Sequence, residues 1–175
     1  MLETSRLVLR PFELKDFRDI KALYQHPGVC ELLLHDPWEE DEAMAIFLEK
    51  MQGRRFNADI PFNLAVIYDE QVIGNVVIWY TGMRETAEIG YAFHPDFHGL
   101  GLATEAVRSV LDYCFYHLKL HRVQANLDER NIPSKKLCER VGMRQEGHFI
   151  EDYWTKNTWT SSYSYAILRS EWLAQ

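Results

Sequence analysis

Apolar and polar residues follow two spacings along the N-terminal third of the chain, and these predict a strand followed by two helices. Residues 6–10 alternate charged and apolar side chains, as a half-buried strand does, and Pro11 closes this run. Over residues 14–24 the apolar positions have helical spacing. A second helix is predicted from near Pro37 to Gly53, because four consecutive acidic residues favour the positive end of a helix dipole there.

The middle and the end of the chain are predicted to supply the remaining strands. Residues 62–68 and 72–79 flank a short turn and predict an antiparallel hairpin, which residues 86–93 extend. Further elements are predicted as a helix over 104–117, a strand over 122–127, a helix over 131–141 and two strands over 143–149 and 163–168. No linker or internal repeat interrupts the pattern. We therefore predict one domain spanning residues 1–175, of mixed α+β class, with a mixed, largely antiparallel sheet.

Composition and charge narrow the classes of partner. The 175 residues are 47% hydrophobic, and no stretch approaches the ~20 apolar residues that a membrane-spanning helix needs. The net charge is −7 and no basic cluster stands out, so we expect neither nucleic-acid nor membrane binding. Three unpatterned cysteines and an N-terminus without a signal-like segment predict a cytoplasmic protein. The histidines and cysteines show no metal-ligand spacing, so no metal site is expected.

The most informative stretch is the glycine-rich turn between the strand at 86–93 and the helix that follows. It reads His98-Gly99-Leu100-Gly101-Leu102-Ala103-Thr104. A strand, a glycine turn and a helix start together aim unpaired backbone N–H groups at an anion, and the helix dipole adds partial positive charge. The turn therefore predicts a pyrophosphate site. The patterns of an ATP-binding P-loop and of a dinucleotide fold are both absent.

A second constellation, Asn131-Ile-Pro-Ser134, follows the strand at 122–127. Together with the glycine turn it resembles the GNAT family of acyl-CoA-dependent N-acetyltransferases. The opening residues 2–11, the strand start Glu88-Ile-Gly-Tyr91 and the ending 168–172 are similar to the branch that acetylates ribosomal-protein N-termini. The resemblance runs nearly end to end and rests on the order and spacing of these pieces. It implies a GNAT fold with about seven strands and about four helices around one sheet.

The resemblance also implies the cofactor and the residues that bind it. Acetyl-CoA is the expected co-substrate, without a metal. Backbone groups of three strand residues are expected to pair with the pantetheine arm, the glycine turn to hold the pyrophosphate, Asn131 to bond a pantetheine amide, and Ser134 to lie near the thioester sulfur. The expected coenzyme A contacts are Tyr91, Ala92, Phe93, His98, Gly99, Leu100, Gly101, Leu102, Ala103, Thr104, Asn131 and Ser134. His98 stands where the family usually has Arg or Gln.

The chemistry requires a proton acceptor and favours a hydrogen-bond donor at the leaving group. An alkyl amine with a pKa of ~10.4 must lose a proton before it attacks a thioester, whereas an α-amine, at ~8, is often free already. Glu88 is our candidate for the base, with a structural strand residue as the equal alternative. Many GNAT enzymes place a tyrosine acid at the position of Cys138, and Ser134 is the substitute donor here. Direct attack needs no covalent enzyme intermediate.

Three functions stay open at this point. The first is an acetyl-CoA-dependent N-acetyltransferase acting on a primary amine, with protein N-termini ahead of polyamines or aminoglycosides as acceptors. Acidic residues in the expected acceptor segments would attract a cationic acceptor, and they equally fit an ordinary solvated surface: Glu31, Asp36, Glu39, Glu40, Glu151 and Asp152. Ser161 replaces an Asp that is frequent in the ribosomal branch, which warns against copying its substrate. The second function is a non-catalytic acyl-CoA-binding module, and the third, a nucleotide-binding oxidoreductase, ranks far behind. The oligomeric state is not fixed, and a homodimer stays open.

Overall fold

One continuous sheet of eight strands organises the computed structural model, which describes residues 1–175. The strands are β1 (Leu2–Glu3), β2 (Leu7–Pro11), β3 (Phe62–Tyr68), β4 (Gln71–Tyr80), β5 (Thr86–Phe93), β6 (Arg122–Asp128), β7 (Arg144–Thr155) and β8 (Thr158–Leu168). The helices are α1 (Phe17–Gln25), α2 (Pro27–Cys30), α3 (Ala43–Met51), α4 (Leu102–Asp112), α5 (Ile132–Arg140) and α6 (Arg169–Trp172). This confirms the predicted mixed α+β class with a largely antiparallel sheet; the open sheet has eight strands where about seven were expected, and the helices number six where about four were expected.

The strand order is β1-β2-β3-β4-β5-β6-β8-β7, and every neighbouring pair is antiparallel except β5 and β6. The hairpin of β3 and β4 turns at Asp69 and Glu70, both with positive φ, as a two-residue hairpin turn requires. The parallel pair needs a crossover, which α4 provides between β5 and β6. The ends of β5 and β6 therefore lie side by side in the middle of the sheet.

Two hydrophobic cores cover the two faces of the sheet. On one face, α4 and α5 bury apolar residues such as Val107 and Leu137 against Ile89 and Val123. On the other face, α1 and α3 bury a smaller set that includes Phe47. Burial of each such side chain stabilises the fold by roughly 1.5–3 kcal/mol. Because successive strand residues face opposite sides, each position on β5 belongs to one face or the other.

Several boundaries differ from the sequence prediction. The helix predicted from near Pro37 is α3, and it begins at Ala43. The residues before Ala43 are not helical, because Trp38 stacks its indole on the Tyr24 ring, with 4.7 Å between ring centroids. The helix predicted to run to residue 117 continues past Asp112 as a π-helical turn. Strands β7 and β8 extend to a turn at Lys156 and Asn157, both with positive φ. None of the helices is both long and apolar enough to cross a membrane.

Candidate active site at the parting of two strands

Strands β5 and β6 pair over only three residues each and then part. The register joins residues 86–88 of β5 to residues 122–124 of β6, and Glu88 is the last residue of β5 that is paired with β6. Beyond it, the two strands continue to Phe93 and Asp128 without bonding each other. The sheet is therefore open between them, on the carboxyl side of the pairing.

Backbone groups of β5 face this opening at alternate residues. The N–H of His94 donates to the carbonyl of Ile73 on β4, and hydrogen-bonded pairs alternate along an antiparallel ladder. Tyr91 and Phe93 consequently direct their N–H and C=O groups away from β4 and into the opening. Ala92 directs its own groups toward β4. An extended ligand would find its strand-like partners at Tyr91 and Phe93.

The predicted glycine turn lies at one end of the opening. Gly99 and Gly101 both have left-handed φ values, +78° and +76°, which glycine adopts without a steric cost. Gly101 caps α4 without any side-chain hydrogen bond. The consecutive backbone N–H groups of residues 99–104 have no hydrogen-bond acceptor within the protein. A row of free donors at a helix N-terminus has the geometry that suits an anion of several oxygens.

Cationic side chains surround the turn, and one of them holds it in place. Arg108, Lys136 and Arg140 line the same cavity as the turn, and the Nε of Arg140 donates to the Thr104 hydroxyl at 3.2 Å. Arg6 donates from Nη1 to the carbonyl oxygen of Leu100 at 2.9 Å. The ring Nε2 of His98 donates to the Phe93 carbonyl at 3.3 Å, so His98 lies against β5.

A bracket of four residues joins the N-terminus to the first turn of α4. One carboxylate oxygen of Glu105 accepts hydrogen bonds from the hydroxyls of Thr4 and Ser5 and from the Arg6 backbone, and the other accepts from the Arg6 guanidinium. Partial burial opposes ionisation, but the hydrogen bonds from Thr4, Arg6 and Ser5 outweigh it and lower the pKa of Glu105. We call Thr4, Ser5, Arg6 and Glu105 the N-terminal bracket.

The start of α5 brings Asn131 and Ser134 to the opposite side of the opening. The Oδ1 of Asn131 caps the helix by accepting the Ser134 N–H at 3.0 Å, which leaves the Nδ2 donor of Asn131 available. The Ser134 hydroxyl lies 2.8 Å from the Tyr91 hydroxyl, and the Tyr91 hydroxyl lies 3.3 Å from the Cys138 sulfur. Burial raises the pKa of both Tyr91 and Cys138 above their ordinary values.

Glu88 lies at the point where the strands part, on the other face of the sheet from Ser134. Its neighbours Ala87 and Ile89 point into the core under α4, so the Glu88 side chain points toward the face of α1 and α3. Its Oε2 accepts hydrogen bonds from the amides of Gln124 and Asn126, both at 3.0 Å. These two β6 residues keep the carboxylate pointing along the parting strands.

One cavity of about 1090 Å³ connects most of these groups. It contains all the residues predicted to bind coenzyme A except Leu100, and it extends to an apolar wall after α1 formed by Val29, Leu32 and Leu33. Glu88 does not line it. No cluster of three or more His, Cys, Asp or Glu side chains is arranged to hold a metal ion.

Sequence reasoning missed several residues that shape the site. The sequence pattern could have indicated Gln124 and Asn126, because these polar residues alternate with the apolar Val123, Ala125 and Leu127 along β6. No local pattern could have indicated the role of the Tyr91 hydroxyl, because its contact with Ser134 joins residues 43 positions apart.

Comparisons with known proteins agree with this geometry. The family described as "Acetyltransferase (GNAT) domain" matches residues 6–144. The uncharacterised N-acetyltransferase YnaD of Bacillus subtilis is 33% identical over 171 residues, which cover 98% of each chain. A spermidine N(1)-acetyltransferase of Vibrio cholerae is 28% identical over 97% of this chain and 96% of the relative.

A second set of similarities concerns the branch and the fold. YdaF of Bacillus subtilis, provisionally named a ribosomal N-acetyltransferase, is 29% identical over 68% of this chain and 66% of its own length. The crystal structure of a GNAT-family acetyltransferase from Bacillus anthracis superposes with a TM-score of 0.86 at 30% identity, covering 97% of this chain and 98% of that one. The chain therefore belongs to the GNAT family of N-acetyltransferases, whose acetyl donor is acetyl-CoA.

Proposed function

We propose that the protein acetylates the α-amine of a protein N-terminus by direct attack of that amine on the thioester of acetyl-CoA. The observation that carries this proposal is the parting of β5 and β6. Glu88 marks it on the face of α1 and α3, and Ser134 flanks it from α5 on the opposite face. A donor bound from one face and an amine arriving from the other would meet between the strands.

The residues around the opening fit acetyl-CoA, which supplies an acetyl group activated as a thioester. The free N–H groups of residues 99–104 would bind the pyrophosphate, and Arg108, Lys136 and Arg140 would balance phosphate charge. Tyr91 and Phe93 would bond the pantetheine arm as an added strand, with Ala92 as a lining residue. Asn131 would donate from Nδ2 to a pantetheine amide. His98 would act by orienting the Phe93 carbonyl.

Glu88 is proposed as the group that accepts the proton of the attacking amine, directly or through a water molecule. Its Oε2 accepts hydrogen bonds from the amides of Gln124 and Asn126, which hold the carboxylate at the point where the strands part. An α-amine, with a pKa of ~8, is often free of its proton already, whereas an alkyl amine at ~10.4 rarely is. This contrast is why we place a protein N-terminus first.

Ser134 is proposed as the hydrogen-bond donor to the departing sulfur. Its hydroxyl lines the cavity at the start of α5, where the helix dipole also favours negative charge. A thiol with a pKa near ~8.5 leaves as a thiolate without full proton transfer, so a hydrogen bond is sufficient help. No residue is required as a nucleophile, and the buried Cys138 is protonated and sits behind Tyr91.

A small polycationic amine is the second candidate acceptor. The acidic side chains of Glu31, Asp36, Glu39, Glu151 and Asp152 form no ion pair within the protein, whereas Glu40 is bonded to Lys21. Free carboxylates near the loop after α2 would attract an ammonium group. The spermidine acetyltransferase of Vibrio cholerae matches nearly the whole chain, while YdaF matches about two thirds of it.

Free-thiol release from acetyl-CoA tests the proposal against a panel of acceptors. The panel contains peptides with free and with blocked N-termini, spermidine and an aminoglycoside. Turnover with the free N-terminus and not with its blocked counterpart supports the proposal. Turnover restricted to spermidine or the aminoglycoside replaces it with the second candidate. Coenzyme A binding without turnover on any acceptor favours the non-catalytic acyl-CoA-binding function.

A further inference from the structure

Three side chains form a continuous chain of hydrogen-bonding groups at the inner end of the cavity. The Cys138 sulfur lies 3.3 Å from the Tyr91 hydroxyl, which lies 2.8 Å from the Ser134 hydroxyl. Cys138 is 1% exposed, Tyr91 is half-buried, and Ser134 lines the cavity. This series of hydrogen-bonding side chains therefore runs from the core to the cavity surface.

Either atom of each pair can donate its hydrogen, and one of the two directions leaves the Ser134 hydrogen free for the cavity. Each of the three groups carries one hydrogen, and burial keeps both the thiol and the phenol protonated. The only side-chain partner of the Cys138 sulfur is the Tyr91 oxygen. When the thiol donates to that oxygen, the Tyr91 hydrogen has two acceptors on Ser134, the hydroxyl oxygen at 2.8 Å and the backbone carbonyl at 3.4 Å, and the hydroxyl oxygen is the nearer. The Ser134 hydrogen is then left to point into the cavity.

We infer that Tyr91 is a positioning residue that orients the Ser134 hydroxyl as a donor toward the sulfur of coenzyme A. This inference rests on the proposed function, which places Ser134 beside that sulfur. The Tyr91 hydroxyl is the only hydrogen-bond partner of the Ser134 hydroxyl in the protein, so without it nothing fixes the rotation of that hydroxyl. The Ser134 hydrogen would then no longer be directed at the thiolate.

The thiol pKa of bound coenzyme A reports this hydrogen bond directly and needs no turnover. The protein–coenzyme A complex is titrated by the ultraviolet absorbance of the thiolate, and a parallel titration with desulfo-coenzyme A removes the contribution of protein tyrosines. In the wild type the bound thiol is expected to ionise below its ordinary ~8.5, and Tyr91→Phe to raise its pKa by about one unit. Tyr113→Phe is the control, because the hydroxyl of this half-buried tyrosine makes no hydrogen bond and the residue lies outside the cavity.

A double-mutant cycle distinguishes positioning from a general structural effect. If Tyr91 acts through Ser134, Tyr91→Phe produces no further shift in the Ser134→Ala background. Equal shifts in both backgrounds overturn the inference. An unshifted thiol in the wild-type complex overturns the proposed place of Ser134 itself, whereas a shifted wild-type thiol that Tyr91→Phe leaves unchanged overturns only the role of Tyr91. Coenzyme A affinity within a few-fold of wild type shows that Tyr91→Phe still folds and binds.

Cys138 supplies the conservative variant. Cys138→Ser keeps a donor toward Tyr91 and is expected to retain the lowered thiol pKa, while Cys138→Ala removes the donor and is expected to raise it part of the way toward the value in Tyr91→Phe. Identical thiol pKa values in the two Cys138 variants show that the thiol does not set the direction of the chain.

Discussion

Arg6 and Glu105 are joined across 99 positions of sequence by a 2.7 Å hydrogen bond from the guanidinium Nε to the carboxylate. The same guanidinium donates to the carbonyl of Leu100, inside the glycine turn. The N-terminal bracket therefore fixes both the first turn of α4 and the loop that precedes it. Free backbone donors bind an anion tightly only when they are held in place, so the bracket preorganises the proposed pyrophosphate site.

Removal of the bracket is expected to weaken coenzyme A binding more than it slows chemistry. Glu105→Gln loses the ion pair with Arg6 and is expected to raise the KM for acetyl-CoA several-fold, by about 1–2 kcal/mol of binding, with a smaller change in kcat. Steady-state kinetics at saturating acceptor measures both quantities. Glu3→Gln is the matched control, because the exposed side chain of Glu3 precedes the bracket and forms no hydrogen bond or ion pair with it. A lower kcat with an unchanged KM would contradict the positioning role.

The bracket also predicts a pH dependence of stability. The pKa of Glu105 is lowered in the folded protein, so its contribution is present above the unfolded value of ~4.3 and is lost as the pH falls through the lower folded value. The difference in free energy of unfolding between wild type and Glu105→Gln should therefore shrink as the pH falls below about 4. Urea titrations at neutral and acidic pH measure this difference, and a constant difference would show that ionised Glu105 is not its source.

Substitution of Glu88 is expected to separate the two classes of acceptor. Glu88→Gln keeps the shape of the side chain and removes the base, so turnover should fall more for spermidine than for a peptide α-amine, whose proton is lost more easily. The ratio of kcat/KM values for the two acceptors is the readout. Gln124→Glu probes the same site while keeping Glu88, because it replaces a hydrogen-bond donor to Glu88 with a second carboxylate. Near-normal rates of Glu88→Gln with both acceptors would remove Glu88 from the mechanism.

Ser134 offers a test of leaving-group stabilisation. Ser134→Ala deletes the proposed donor to the sulfur and should lower kcat by about tenfold while coenzyme A affinity stays within a few-fold. The backbone N–H of residue 134 still donates to Asn131, so the start of α5 is preserved. Isothermal titration with coenzyme A checks binding separately from turnover. An unchanged kcat would reject the role of Ser134.

The sequence predicted the parts of the site that depend on local chemistry. The glycines of the turn at residues 98–103, the helix after it and the helix that starts near Asn131 each have a local signature, and the structure places them around one cavity. The bounds of β7 and β8 were harder, because β7 is an exposed edge strand with an interrupted register and little apolar alternation. Contacts such as that of Tyr91 with Ser134 arise only when the fold brings distant residues together, so spacing alone could not predict them.

A competition experiment tests the acceptor proposal most directly. The protein is incubated with acetyl-CoA and an equimolar mixture of spermidine and a peptide that carries a free N-terminus and an internal lysine, and mass spectrometry locates the acetyl group. We expect acetylation at the peptide α-amine, in preference to the lysine and to spermidine. Acetylation of spermidine alone, with the peptide unmodified, would contradict the account and establish the polycationic acceptor in its place.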